Sequence, residues 1–188
     1  LGLPALAITD RNNLFALVKF YKAAESVGIK PIAGADILIA DGGDAPSLLT
    51  LLCRDHSGYL SLSRLLSRAW LEGHRGYCVA IDPEWLRADH AGLCAIAGRQ
   101  SLAGRLAVAG RHDVAEAQLL AWRQTFGDDL HLELTRTGRD GEEAFNQFAL
   151  HTASKLALPV IASNDVRFLD ASGFDAHEAR VCIASGRV

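Results

Sequence analysis

An apolar run that ends in an aspartate and an arginine is the feature that most constrains the fold of this chain. Residues 158–169 read LPVIASNDVRFL. The pattern predicts a short buried strand over residues 159–163, and Asp165 and Arg167 follow it. In sheets and barrels of parallel strands, chemistry usually takes place at the carboxyl ends of the strands.

The same arrangement occurs near the start of the chain. Residues 5–8 form an apolar run that predicts the first strand, and the predicted loop over residues 9–13 contains Asp10 and Arg11. Two strands therefore each deliver a carboxylate and then a basic side chain. An aspartate at such a position also caps helices and starts turns, so each of the two admits a purely structural interpretation.

Strands and helices alternate along the whole length, which predicts an α/β fold of parallel βα units in a single domain over residues 1–188. The later strands are predicted over residues 29–40 (with an interruption at Gly34), 47–53, 93–97, 130–134 and 159–163. The helices are predicted over residues 14–27, 58–71, 102–109, 114–126, 140–156 and 174–183, and Asp82 is predicted to cap a short helix that begins at Pro83.

A third carboxylate, Asp36, lies inside the otherwise apolar strand over residues 29–40. A carboxylate in a buried strand requires a partner or a metal, unless the side chain faces outward. Together with Asp10 and Asp165 it supplies oxygen ligands of the kind that divalent metals and phosphate chemistry use. None of the seven histidines lies at a strand end beside these aspartates.

Composition excludes several classes of protein. The net charge of −3 gives no electrostatic case for nucleic-acid binding by this segment, and no apolar run is long enough to cross a membrane. The four cysteines lack CxxC spacing, which favours buried thiols in a cytoplasmic protein. The dinucleotide, P-loop and serine-hydrolase motifs are absent. A chain without methionine that starts at Leu1 is predicted to be a segment of a longer protein, cut at both ends.

Three segments, ALAITDRNNLFALVKFYKAAESVGIKPIAGAD, HLELTRTGR and PVIASNDVRFLDASGFDAHEARVCI, closely resemble the polymerase-and-histidinol-phosphatase (PHP) domain, and in particular the PHP domain of the bacterial DNA polymerase III alpha subunit. The resemblance implies a distorted (βα)7 barrel whose first strand, with a His-x-His metal motif, precedes Leu1. Without that strand, the strand over residues 5–8 and the last strand are expected to have unpaired edges.

The resemblance also implies which positions bind metal in the family. The Asp-His pair of metal-binding members corresponds here to Asp10 and Arg11, and the next strand-end glutamate corresponds to Asp36. A further histidine ligand of the family corresponds to Leu48 or a residue next to it. A cysteine or histidine ligand of the family corresponds to a position near Gly98 or Arg99.

The final Asp-x-His motif reads Asp165-Val166-Arg167. The aspartates thus remain, while arginines, which stay positively charged, replace two of the softer ligands. The resemblance therefore implies a degenerate site that has lost the Zn or Mn of the family. We hypothesise that the guanidinium of Arg167, with help from Arg11, neutralises Asp10, Asp36 and Asp165 in the place of the metal.

These observations favour a non-catalytic domain that supports a Mg-dependent polymerase core. The partners that the resemblance implies are the rest of the alpha chain and the proofreading exonuclease subunit, with DNA contacted by the parent protein and not by this segment. The alternatives are an active metal-dependent phosphoesterase or pyrophosphatase, the PHP domain of the error-prone polymerase paralogue, and an unrelated βα enzyme.

Overall fold

A computed structural model describes residues 2–42, 45–76, 78–164 and 166–186. The strands are β1 (Ala5–Arg11), β2 (Lys30–Ile39), β3 (Ser47–Cys53), β4 (His74–Arg75), β5 (Cys78–Val79), β6 (Leu93–Ala97), β7 (Leu130–Leu134) and β8 (Val160–Ala162). The helices are α1 (Leu17–Ser26), α2 (His56–Glu72), α3 (Pro83–Ala88), α4 (Leu102–Val108), α5 (His112–Phe126), α6 (Glu142–Leu156) and α7 (Phe174–Ser185). The α/β prediction is confirmed, and no helix in these described ranges is long and apolar enough to cross a membrane.

Six strands form one sheet in the order β1-β2-β3-β6-β7-β8, and β4 and β5 form a separate hairpin. Strand β3 runs antiparallel to both of its neighbours, so the prediction of parallel βα units throughout is wrong at this strand. The reason is the length of the connection. Only residues 40–46 separate β2 from β3, whereas a parallel crossover needs about a dozen residues or more.

Strand β1 continues through the segment predicted as a loop. Thr9, Asp10 and Arg11 pair in register with residues 34–36 of β2, because the backbone ladder with β2 continues past the apolar run. Gly34 stays within β2 rather than interrupting it. A Cβ atom at Gly34 would lie 2.6 Å from the carbonyl oxygen of Leu51, so the close approach of β3 requires a glycine.

Asn12 ends β1 in a left-handed conformation, with φ of 54°, and its side chain is buried. Its Nδ2 donates to the carbonyl oxygen of Val79 (2.7 Å), and its Oδ1 accepts from the backbone N–H of Leu38 (3.0 Å). Its own carbonyl oxygen accepts from Nε1 of Trp70 at 2.8 Å. One residue therefore joins the end of β1 to β2, β5 and α2.

Side chains on one face of the sheet form the core, because residues alternate between the two faces along each strand. The fully buried core includes Ala35, Ile37, Leu51, Ala95, Leu130 and Leu132 from the strands, and Leu62, Leu119, Phe145 and Ala149 from helices α2, α5 and α6. Helix α1 buries only Leu17 and Ala24, whereas Val18 and Tyr21 are exposed. It lies at the margin of the sheet, against β1 and β2.

Side-chain caps fix the starts of three helices. Asp55 accepts from Gly58 N–H at the start of α2, and Asp82 caps α3, with Pro83 as its first residue, as predicted. Ser101 accepts from Gly104 N–H at the start of α4. The four cysteines are partly buried free thiols. Burial raises the pKa of Cys53 to about 11.

The outer strands of the described sheet are β1 and β8. Both present apolar side chains to solvent, among them Leu6 on β1 and Val160 on β8. Exposed edges of this kind are sites where another strand can pair.

Candidate functional site

The sheet curls around a cavity of about 1290 Å³ to which all six of its strands contribute lining residues. The side chains on this face alternate with those that form the core. The polar and charged residues that line it are Thr9, Asp10, Arg11, Asp36, Thr50, Arg99, Gln100, Ser101, Glu133, Thr135, Arg136, Thr137, Arg139, Glu142, Asn146, Ser163, Asn164 and Arg167.

Asp36 lies in the middle of the curled sheet, opposite Arg11 on β1 and Thr50 on β3. Its Oδ1 accepts a hydrogen bond from Thr50 Oγ1 at 2.6 Å. Burial raises the pKa of Asp36, and the hydrogen bond from Thr50 and the charges of Arg11 and Arg167 limit that rise. The partner that a carboxylate in a strand requires is therefore a hydroxyl group on the neighbouring strand.

Asp10 has a structural contact. It pairs in register with Ala35, which is fully buried under the helices, and its Oδ2 accepts from the backbone N–H of Ala16 at 3.2 Å, just before α1. This contact fits the structural interpretation that the sequence left open. Asp165 lies outside the described residues, so the convergence of the three aspartates stays a prediction.

Arginines surround the mouth of the cavity. Arg11, Arg99 and Arg167, at or beside positions where the resemblance places metal ligands, all line it. Arg99 is half-buried, and Arg167 is exposed. Arg11 and Arg167 are both near enough to Asp36 to lower its pKa through their charge.

Glu133 and Ser163 form a second polar pair that the sequence analysis missed. Ser163 Oγ donates a short hydrogen bond to Glu133 Oε1, from the segment after β8 to β7. A Cβ atom at Gly98 would lie 2.1 Å from Glu133 Oε2, so the glycine leaves room for this carboxylate. The alternation of side chains along β7 could have indicated this residue, because Leu132 faces the core and Glu133 must then face the cavity.

The carboxylate of Glu142, at the start of α6, also accepts hydrogen bonds from other groups of the protein. Its carboxylate accepts from the backbone N–H groups of Thr137 (2.7 Å), Gly138 (2.9 Å) and Arg139 (3.3 Å). The hydroxyls of Thr135 and Thr137 donate to its other oxygen. These donors, the Thr137 hydroxyl foremost, lower the pKa of Glu142 to about 2.

Within the described residues, the carboxylates of the cavity accept hydrogen bonds from other groups of the protein. Over the described ranges, no group of three or more His, Cys, Asp or Glu side chains is arranged to hold a metal ion. Asp36 and Glu133 accept from hydroxyls, Asp10 accepts from a backbone amide, and the charges of Arg11 and Arg167 act on Asp36. Positive side chains at this position repel a cation.

Comparison with known proteins identifies the family. The sequence profile of the PHP domain matches residues 1–137. The chain belongs to the PHP family. The PHP relatives at the sequence level are DNA polymerase III alpha subunits. That of Xylella fastidiosa strain Temecula1 is 68% identical over 100% of this chain. Those of Pseudomonas aeruginosa PAO1 and Escherichia coli K12 are 42% and 43% identical over 100% and 99% of it. The chain spans about 16% of the length of these relatives.

Solved structures show the same PHP-type barrel. A Bifidobacterium adolescentis protein assigned as a metal-dependent phosphoesterase matches 95% of this chain and 86% of its own, with a TM-score of 0.55 and 14% identity. An amidohydrolase from Chromobacterium violaceum, solved with sulfate and no metal, matches 94% of this chain and 86% of its own, with a TM-score of 0.58 and 16% identity. These likenesses confirm the predicted fold.

Proposed function

We propose that these residues form the PHP domain of a bacterial DNA polymerase III alpha subunit, a cytoplasmic DNA-replication enzyme. The relatives that match the whole chain carry that name, and the chain corresponds to only 16% of their length. The Mg-dependent polymerase activity, and the main DNA contacts, would then belong to other parts of the complete protein.

Within that protein, the domain has a structural and not a catalytic role. The observation that carries this proposal is the row of Arg11, Asp36 and Thr50 across three strands. The carboxylate that would hold a metal is instead bonded to a hydroxyl and faces a permanent positive charge. The row replaces the electrostatic role of a metal and supplies no group that activates water.

Exposed apolar side chains at both edges of the sheet support contacts with other parts of the complete protein and with the proofreading exonuclease. They are Leu3, Leu6, Phe15 and Val18 at the β1 side, and Val166, Leu169, Phe174 and Ile183 after β8. Apolar groups of this size are normally covered in a stable protein.

The test uses the complete chain, assayed with p-nitrophenyl phosphate and pyrophosphate in the presence of Zn or Mn. We expect no metal-dependent hydrolysis and no stoichiometric metal in elemental analysis. The Asp36→Asn variant should retain DNA synthesis on a primed template. Metal-dependent turnover that Asp36→Asn abolishes would instead support an active phosphoesterase.

A further inference from the structure

A thiol and an imidazole form a contact that the proposed function does not use. The Sγ atom of Cys94 on β6 lies 3.3 Å from Nδ1 of His131 on β7, and both side chains are partly buried. Each is the second residue of its strand, whereas Gly98 at the mouth of the large cavity follows the opposite end of β6. Four residues along a strand span about 13 Å, so this pair lies apart from the mouth.

The sheet holds the two side chains on one face. Strands β6 and β7 are parallel neighbours, and Ile96 pairs in register with His131. The residues next to the pair, Ala95 and Leu130, are fully buried in the core. Because side chains alternate between the two faces of a strand, Cys94 and His131 both project from the face opposite the core. The contact is therefore fixed by the pairing of two regular strands.

A third donor atom lies at the same ring nitrogen. The carbonyl oxygen of Asp129, in the turn before β7, is also 3.3 Å from Nδ1 of His131. The carboxylate of Asp129 forms an ion pair with Arg54, which holds this turn in place and compensates the negative charge. Hydrogen bonds follow the direction of the N–H bond or lone pair of a ring nitrogen, so both partners lie in front of Nδ1. One nitrogen with one proton serves two partners only by sharing, whereas a cation at that point contacts all three atoms.

We infer that Cys94 and His131 form a binding site for a soft metal ion, copper(I), with the carbonyl oxygen of Asp129 as a weaker third contact. Thiolate sulfur selects copper(I), and imidazole nitrogen is also a suitable ligand for copper. Copper(I) accepts a low coordination number, so two side chains are sufficient. Structural zinc sites instead require a complete tetrahedral set of ligands. In the described part of the chain, no three His, Cys, Asp or Glu side chains come together in this way.

Binding exchanges a proton for the metal ion. Burial and the charge of Asp129 raise the pKa of the Cys94 thiol, so the thiol is protonated before the metal binds. When copper(I) binds, the sulfur–hydrogen bond breaks, a sulfur–copper bond forms, and the proton is released to solvent. The imidazole of His131 stays neutral, with its hydrogen on Nε2 and the lone pair of Nδ1 on the metal. The bound ion joins the start of β6 to the start of β7, and its oxidation state does not change.

The experiment is a competition assay on the complete chain under anaerobic conditions, with copper(I) supplied as its complex with bicinchoninate, a chelator whose colour reports the copper it holds. We expect the parent to withdraw an additional equivalent of copper(I) relative to Cys94→Ser. The His131→Asn variant should bind that equivalent about tenfold or more weakly, because it lacks the nitrogen ligand. Cys53→Ser removes another half-buried thiol of the sheet, so it is the matched control and should bind copper(I) as the parent does.

Alkylation by iodoacetamide, followed by mass spectrometry, locates the site within the complete chain. Copper(I) should slow the alkylation of Cys94 and leave that of Cys53 unchanged. The inference is overturned if Cys94→Ser binds as much copper(I) as the parent, or if His131→Asn binds it as tightly. If His131→Asn fails to fold, the parent still decides, because equal protection of both thiols, or protection of neither, overturns the inference. The phosphoesterase assays use other metals and another readout, so they test the proposed function separately.

Discussion

Arg11 on β1 and Asp36 on β2 lie directly opposite each other across two parallel strands. Opposed residues of a sheet project from the same face, so the guanidinium and the carboxylate both face the cavity. Thr50 continues the row on β3, and its hydroxyl donates to Asp36. The charge of the carboxylate is thus compensated by neighbours on both sides.

Removing the hydroxyl of Thr50 should lower the free energy of unfolding more than removing the charge of Asp36. Thr50→Val leaves a partly buried carboxylate without its donor, and we expect a loss of about 1–3 kcal/mol in the free energy of unfolding. Because the pKa of Asp36 is raised in the folded state, protonation favours folding. Asp36→Asn should therefore be at least as stable as the parent at pH 7, with a difference that shrinks as the pH falls through the folded pKa toward 3.8.

Urea denaturation of both single variants and the double variant measures these effects. In the double variant Asp36→Asn should recover part of the loss caused by Thr50→Val, because the stranded carboxylate is gone. Equal stability of Thr50→Val and the parent would show that the hydrogen bond contributes nothing.

Arg167→Ala should have a small effect on stability. The loss of about 3–5 kcal/mol typical of a broken buried ion pair requires a buried guanidinium, whereas Arg167 is exposed. We expect about 0–1 kcal/mol, as for exposed pairs. Thermal melts compare it with Arg136→Ala, another exposed arginine of the cavity lining. A loss well above that of Arg136→Ala would instead support the hypothesis that Arg167, with help from Arg11, takes the place of the metal.

Gly104→Ala should destabilise the protein although it lies in a helix, where alanine is normally favoured by about 1 kcal/mol. A Cβ atom there would lie 2.4 Å from the carbonyl oxygen of Gly98 and 2.5 Å from that of Arg99, which are backbone atoms that cannot move alone. Gly98→Ala is the informative comparison, because its Cβ atom would meet the mobile end of Glu133. The denaturation midpoint should fall further for Gly104→Ala than for Gly98→Ala. The reverse order would contradict the close packing of backbone atoms against Gly104.

The stability of the chain should depend on Glu142 in acid. Its pKa is lowered from 4.5 to about 2 in the folded state, so its contribution is complete above pH 4.5 and is lost as the pH falls toward 2. Glu142→Gln should be less stable than the parent at pH 7, and the two should converge below pH 4.5. Denaturation over a pH series measures this, with Glu143→Gln, an exposed neighbour, as the control. A difference that does not vary with pH would rule out the carboxylate charge as its cause.

The apolar runs predicted the central strands well. Residues 47–53, 93–97 and 130–134 are strands with the predicted bounds, because these strands are buried and their composition reports that burial. The sequence did not predict the extension of β1 through Arg11, since that extension depends on pairing with β2 and not on local preference. The direction of β3 could have been predicted from the short connection at residues 40–46.

The site was predicted less completely than the fold. Asp36 and the arginines were found because a charge within an apolar strand, or at a position of a known motif, stands out. The alternation in β7 indicates that Glu133 faces the cavity, but its partner Ser163 lies 30 positions away and no local pattern marks it. The contact of Asp10 with the backbone N–H of Ala16 fits one of two interpretations that the sequence could not separate, because both place an aspartate after an apolar run.

The contacts of Asn12 determine when the end of β1 can be fixed during synthesis of the chain. Its partners Leu38, Trp70 and Val79 lie 26, 58 and 67 residues further along the chain. The end of β1 cannot be locked until Val79 has left the ribosome, which takes several seconds at about 5–20 residues per second. The end of β1 therefore lacks these contacts until then, and a nascent chain has only the β1–β2 ladder to hold it during that interval.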